Sequence, residues 1–198
     1  MMRAFDLLAS LLGIVVLLPF LMLIAVVIKL EGRGPVFFRQ VRIGKGGRPF
    51  RIWKFRTMVV DAERLGRQLT VGEDHRITRT GNWLRSWKLD ELPQLINVLL
   101  GEMAFVGPRP EVPRYVSLYT EEQRKVLNLR PGITDLASIA YRNESELLQG
   151  SEDPETFYIQ RVMPDKIRIN LDYAQRSTIW RNIKVILATL GILSAARV

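Results

Sequence analysis

Residues 7–28 read LLASLLGIVVLLPFLMLIAVVI, an uncharged run of Leu, Ile, Val, Ala, Met and Phe interrupted only by Ser10, Gly13 and Pro19. As a helix this stretch reaches roughly 33 Å at 1.5 Å per residue, enough to cross a hydrocarbon core of about 30 Å. It is longer than the about 7–15 apolar residues of a secretory signal, and no small-residue cleavage site follows, so it reads as a retained membrane segment. Pro19 removes one backbone hydrogen bond near the middle and favours a kink or a turn; a kinked single crossing and a re-entrant hairpin both fit the residues. Arg3 precedes the segment, and Lys29 and Arg33 follow it in a basic chain. The positive-inside tendency therefore draws both ends to the cytoplasmic side.

Outward from this segment, the 198 residues are 47% hydrophobic and 25% charged, ordinary usage for one folded core rather than a disordered tail. There is no cysteine and one histidine, His75, in a polar stretch without an evident partner. Disulfides, thiol nucleophiles, thiolate zinc sites and histidine-rich metal clusters are excluded, so any chemistry falls to carboxylates and cations. The net charge of +9 and pI near 10.2 call for an anionic partner: nucleic acid, lipid headgroups or a phosphorylated substrate.

Between Glu31 and Asp61 the chain carries Arg33, Arg39, Arg42, Lys45, Arg48, Arg51, Lys54 and Arg56 and no acid. Gly44, Gly46 and Gly47 separate two β-forming runs, 36–43 and 50–55, which predicts a hairpin starting at the membrane surface, its cations suited to anionic headgroups. Residues 61–69 read as a short polar helix. Apolar residues from Trp83 to Leu100 recur at helical spacing, with a restart near Asp90 and Pro93, because proline is tolerated only in a first turn. Helices are also expected over 111–129, over 153–173 with a break at Pro164, and over 179–193 as an amphipathic segment. The fold class is α+β and helix-dominated, with residues 1–30 as the membrane segment and 31–198 as an interfacial domain.

Asp90 and Glu91 fall at a helix N-terminus, where free N–H groups and the dipole keep acids ionised and attract phosphate. Such a pair supplies a nucleophile toward phosphorus and a hard ligand for Mg²⁺, although simple N-capping explains the same spacing. Arg109 stands between Pro108 and Pro110, which presents a forked cation suited to bidentate phosphate recognition. Lys54, Arg56, Arg85, Arg130 and Arg142 can complete a pyrophosphate pocket.

Taken in order, Gly34-Pro35-Val36-Phe37-Phe38-Arg39-Gln40, Lys54-Phe55-Arg56-Thr57-Met58, Leu89-Asp90-Glu91-Leu92-Pro93-Gln94-Leu95, Asn97-Val98, Gly101-Glu102-Met103, Val106-Gly107-Pro108-Arg109-Pro110 and Arg130-Pro131-Gly132-Ile133-Thr134 resemble the monotopic phosphoglycosyl transferases, the bacterial sugar transferase family. The resemblance covers nearly the whole chain and looks like the family's minimal catalytic form. It implies transfer of a phosphosugar from a UDP-sugar to a polyprenol (undecaprenyl) phosphate at the cytoplasmic face of the bacterial inner membrane. UMP is released and glycan assembly begins.

The same resemblance implies Asp90 as the nucleophile forming a phosphosugar-aspartyl intermediate, and Glu91 as the Mg²⁺ ligand. Lys54, Arg109 and Arg142, then Arg56 and Arg85, stand near the substrate phosphates or nucleotide, and the membrane helix is re-entrant, broken near Pro19. It implies no nucleic-acid partner and leaves the oligomeric state open. Asp135, Ser138, Lys88 and Asn182 depart from the family pattern, which puts the sugar or nucleotide pocket and one C-terminal carboxylate in question. The competing reading is a membrane-anchored, basic nucleic-acid-binding or scaffold protein without catalysis, which the charge and Trp53, Phe55, Trp83 and Trp87 allow but which leaves the acidic pair idle.

Overall fold

The computed structural model describes residues 2–62 and 74–194. Beyond its first two residues the expected polar helix over 61–69 lies outside the described residues. Helix α1 (Met2–Glu31) is 30 residues long, roughly 45 Å, and continues through Pro19, which is exposed. Its buried or half-buried residues, Arg3, Asp6, Ala9, Ser10, Gly13, Ile14, Leu17, Leu21, Ile24, Ala25 and Ile28, follow the helical i, i+3, i+4, i+7 spacing. They form one stripe along the helix, and that stripe faces the rest of the protein.

Both ends of the stripe are tied to the same body. The Arg3 guanidinium donates to the carbonyls of Val98 (2.6 Å) and Leu99 (3.0 Å) at the C-terminus of α3 (Gln94–Leu100), where a cation meets unsatisfied carbonyls and the negative end of the dipole. At the other end Ile24 and Ile28 pack with Phe55 and Leu84. Arg56 closes α1 by donating to the carbonyls of Ile28 (3.1 Å) and Gly32 (3.0 Å). The outer face carries Leu8, Leu12, Val15, Val16, Met22 and Leu23, each at least 60% exposed. An apolar strip of this length is far larger than a soluble surface carries and suits lipid.

The basic hairpin forms as the glycine break predicts: β1 (Phe37–Ile43) pairs antiparallel with β2 (Pro49–Phe55), Phe38 opposite Lys54 and Arg42 opposite Phe50. The free edge of β2 is capped by a side chain. Asn97, fully buried on α3, accepts from Trp53 N–H (2.9 Å) and donates to the Arg51 carbonyl (2.9 Å) and Glu102 (2.7 Å), replacing a strand's ladder bonds. Helix α2 (Arg79–Ser86) starts at the Thr78 cap and presses against Thr57 so closely that a Cβ at Gly81 would lie 2.0 Å from the Thr57 carbonyl oxygen.

A second sheet joins β3 (Ala104–Val106) to β4 (Gly132–Thr134) in parallel. Two three-residue strands separated by 25 positions carry no local periodicity, and the sequence does not announce them. Their crossing is permitted by the glycines: a Cβ on Gly107 would meet the Arg130 carbonyl at 2.3 Å.

Between them the expected single helix over 111–129 is two short ones, α4 (Pro113–Val116) and α5 (Glu121–Arg124), followed by a 3₁₀ turn over Lys125–Asn128. Thr120 and Gln123 form a capping box, which restarts the chain instead of continuing α4. After α6 (Leu136–Ala140), α7 (Glu144–Gln149) and α8 (Pro154–Phe157), a π-helical turn over Tyr158–Val162 runs directly into α9 (Met163–Gln175). Pro164 therefore sits in a first turn of α9 and does not break the segment. Helix α10 (Ile179–Thr189) completes the fold, its Trp180 77% exposed.

Candidate active site

The acidic pair lies where three elements meet. Lys88 adopts the left-handed conformation (φ 55°), which ends the α2 segment and turns the chain into a 3₁₀ turn over Leu89–Glu91. Leu92 and Pro93 continue with helical geometry into α3, so Asp90, Gln94 and Asn97 share one face. All three are buried polar residues, and Asn97 has already fixed that face against β2. Leu89, next to Asp90, packs against the Ile24–Ile28 end of α1, which places the pair beside the membrane helix.

Glu91 holds two cations at once. Its Oε1 accepts from Lys54 Nζ (2.7 Å) and from Arg109 Nη2 (2.5 Å), and its Oε2 from Arg109 Nη1 (3.2 Å). Lys54 arrives from β2 and Arg109 from the proline-flanked loop after β3, so one carboxylate joins the hairpin, the helix start and the loop. Burial alone would raise the Glu91 carboxyl, but the charges and hydrogen bonds of Arg109 and Lys54 hold it well below the usual carboxylate range.

Asp90 responds in the opposite sense. Burial pushes it up, the neighbouring Glu91 charge adds to that, and Lys54, Arg85 and Arg109 oppose without cancelling. Lys54 and Arg85 are themselves lowered by burial, while Arg109 is raised, chiefly by Glu91. The result is a firmly ionised acid beside a less stabilised one, in a positive surround suited to an anion, with a carboxylate that gains by being neutralised.

A sequence profile described as bacterial sugar transferase matches residues 1–195. The chain belongs to the bacterial sugar transferase family. It is 38% identical over 194 residues to the UDP-glucose:undecaprenyl-phosphate glucose-1-phosphate transferase of Caulobacter vibrioides, covering 96% of this chain and 68% of that protein. It is 36% identical over 197 residues to a protein of the same description from Escherichia coli, covering 95% and 39%. A UDP-N-acetylgalactosamine-undecaprenyl-phosphate N-acetylgalactosaminephosphotransferase of Aeromonas hydrophila is 35% identical over 193 residues, covering 95% and 42%. The chain thus spans about two fifths of the length of the last two relatives.

For this bacterial sugar transferase the structure gathers Lys54, Arg85, Asp90, Glu91 and Arg109 into one cluster. Arg85 donates from Nε to Thr57 Oγ1 (2.9 Å), a buried hydroxyl that sequence reasoning missed and that fixes the guanidinium near Asp90. Arg56 is placed elsewhere, on the terminal carbonyls of α1. Arg142 donates to the Ala188 carbonyl of α10 (3.0 Å), and its charge reaches Lys88 rather than the acidic pair. Arg130 lines a separate cavity with Arg3 and Phe105.

The departures from the family pattern have local explanations. Asp135 is buried, caps α6 by accepting from Ser138 N–H (2.9 Å) and Oγ–H (2.6 Å), and adds to the field that raises Arg109. Asn182 accepts from the Tyr173 hydroxyl (2.8 Å). Asn97 fixes α3 to the hairpin, a role that the Asn97-Val98 motif does not by itself announce. Its signal was an amide in an otherwise apolar helical run.

Proposed function

We propose that this protein moves a phosphosugar from a UDP-sugar to polyprenol (undecaprenyl) phosphate, with Asp90 as nucleophile. A carboxylate oxygen of Asp90 attacks the sugar-bearing phosphorus. The bond from that phosphorus to the bridging oxygen breaks, and its electron pair leaves with UMP. A phosphate oxygen of the lipid then attacks the same phosphorus, and the aspartyl oxygen departs as carboxylate. The product is the polyprenyl-diphosphate-sugar that starts a glycan. The observation that carries this reading is Asp90, disfavoured as a buried anion, set beside a Glu91 already neutralised by Lys54 and Arg109. Acylphosphate formation replaces the isolated charge on Asp90 with a phosphoryl group that the surrounding cations can bind.

Magnesium fits this donor set. A carboxylate has about four acceptor positions. Glu91 uses three, which leaves one on Oε2. Among the described residues no group of three or more acidic or histidine side chains would hold a metal alone, as expected for an ion held by one or two carboxylates plus substrate phosphates. Glu91 would hold it together with the substrate phosphates, and bound there it would neutralise charge on the diphosphate.

The monotopic arrangement is part of the proposal. Its support is that Arg3 and Ile28, at opposite ends of α1, both bind the one basic body. A perpendicular crossing would pull that body into hydrocarbon. On this reading both ends of α1 stay at the cytoplasmic face, although the helix runs on through Pro19 without the break that the resemblance implies. Trp83 on α2, Trp87 at its C-terminal cap and Trp180 on α10, all exposed, suit the headgroup region beside anionic lipids. There Asp90 meets both a water-soluble donor and an acceptor that cannot leave the membrane.

UMP release from a panel of UDP-sugars, with polyprenol phosphate and Mg²⁺ present, tests the reading. Turnover that Asp90→Asn abolishes supports it. Salt-dependent oligonucleotide binding without turnover on any donor would favour the nucleic-acid reading instead.

A further inference from the structure

Arg109 serves two spaces. Besides holding Glu91 it lines a cavity of about 160 Å³ walled by Arg42, Glu111, Glu144, Tyr158 and Lys166. That is many times the about 10–15 Å³ that a single water molecule needs, a space for a ring-sized ligand.

Its polar groups are arranged but not all used. Arg42 Nη1 donates to the Pro110 carbonyl (3.1 Å) and lies 3.6 Å from Glu111, yet its buried Nε has no hydrogen-bond partner. A buried guanidinium N–H is rarely left unpaired, because it has lost water and gained nothing in return. The Tyr158 hydroxyl donates to Glu111, and Lys166 pairs with Glu144 at 2.6 Å while standing 5.9 Å from the Tyr158 ring. The cavity therefore offers a partly exposed guanidinium whose Nε is sealed in the wall, further cationic and carboxylate groups, and an aromatic face. Arg42 is also close enough for its field to be felt at Lys54, so the cavity adjoins the Asp90–Glu91 cluster.

We propose that this cavity receives the uridine half of the UDP-sugar, a base or ribose oxygen accepting from the exposed part of the Arg42 guanidinium while the diphosphate bridges Arg109 toward Asp90. The assignment rests on the UDP-sugar reading above and extends it to residues outside the acidic pair. Uracil presents two carbonyl acceptors flanking one N–H donor, which matches cations and carboxylates around a ring-sized space. In-line displacement by Asp90 requires UMP to leave on the side away from the attacking oxygen, and Arg109, shared by both spaces, stands between the two halves of the donor.

The half-reactions test the assignment, because UMP has gone before the acceptor reacts. Arg42→Gln is expected to weaken UMP binding and slow phosphosugar-enzyme formation about tenfold. The isolated phosphosugar-enzyme should still pass its group to polyprenol phosphate at the wild-type rate. Leu127→Trp, which fills the cavity without touching the Arg42 hydrogen bonds, carries the same expectation and stands alone if Arg42→Gln does not fold. Variants with wild-type melting temperatures that slow both half-reactions equally, or neither, would overturn the proposal. Failure of the underlying donor reading looks different: the wild-type protein then releases no UMP from any UDP-sugar, and the subsite assignment falls with it.

Discussion

Neutralising Asp90 and neutralising its neighbour Glu91 should change stability in opposite directions. Glu91→Gln keeps the shape of the side chain but removes the charge that Lys54 and Arg109 share. The Glu91 and Lys54 side chains are each 16% exposed, so Lys54 is left as a nearly buried, unpaired cation; Arg109, at 37%, recovers water. Removing one partner of a buried pair costs about 3–5 kcal/mol. Discounting the half-open Arg109 and crediting the retained amide oxygen leaves about 2–4 kcal/mol. For a chain of this size that is a fall in Tm of about 5–12 °C.

Asp90→Asn should leave Tm unchanged or raise it. With its carboxyl pushed above 3.8 the folded state binds the proton more tightly than the unfolded chain. Ionised Asp90 therefore subtracts stability as pH rises from the unfolded pKa through the folded one, and the full cost is present at neutral pH. The stabilising contribution of Glu91 is present above about 4.3 and is lost as pH falls through its depressed folded value. Thermal unfolding in nanodiscs at pH 7.5, followed by the four tryptophans, reads both variants. A Glu91→Gln variant within about 2 °C of wild type, or an Asp90→Asn variant that falls equally far, refutes the electrostatic account. Adding Lys54→Met to Glu91→Gln should recover part of the loss, because the unpaired charge is then gone.

Three further outcomes are expected. Asn97→Leu strands the Trp53 N–H and the Arg51 carbonyl and should cost about 2–4 kcal/mol, seen as a Tm fall with loss of turnover; an unchanged Tm would mean that the hairpin edge needs no cap. UMP release should decline on the acid side as Asp90 protonates, while Glu91 stays ionised. Arg85→Gln, by deleting a cation that lowers Asp90, should move that limb to higher pH, and a limb that stays put contradicts the placement of Arg85. Because the chain has no cysteine, single cysteines at Ala4 and Gly32 report topology cleanly; both should react with a membrane-impermeant maleimide from the same face, and labelling from opposite faces would sink the monotopic arrangement.

What the sequence made legible was whatever a short window encodes. The apolar run gave α1, the glycine cluster gave the β1–β2 hairpin to within a residue, and Pro93 located the helix start that presents Asp90 and Glu91. The breaks inside 111–129 depended on a capping box at Thr120 that competes with helical periodicity. The absence of a break at Pro164 depended on the preceding π turn. The β3–β4 pair rests on long-range contact between glycines and left no local trace. Among the cations, Lys54, Arg85 and Arg109 reached the acidic pair, whereas Arg56 and Arg142 cap helix carbonyls. An arginine's type states what it can bind, while only the fold states which acceptor lies within reach.

The central claim is that Asp90 carries the phosphosugar between donor and acceptor. Intact-protein mass measurement after mixing the enzyme with its UDP-sugar and Mg²⁺, without acceptor, tests it most directly. The account predicts a mass increase of one phosphosugar, mapped to Asp90, absent in Asp90→Asn and discharged by polyprenol phosphate. An adduct on Glu91, or none in an enzyme that turns over normally, would contradict it.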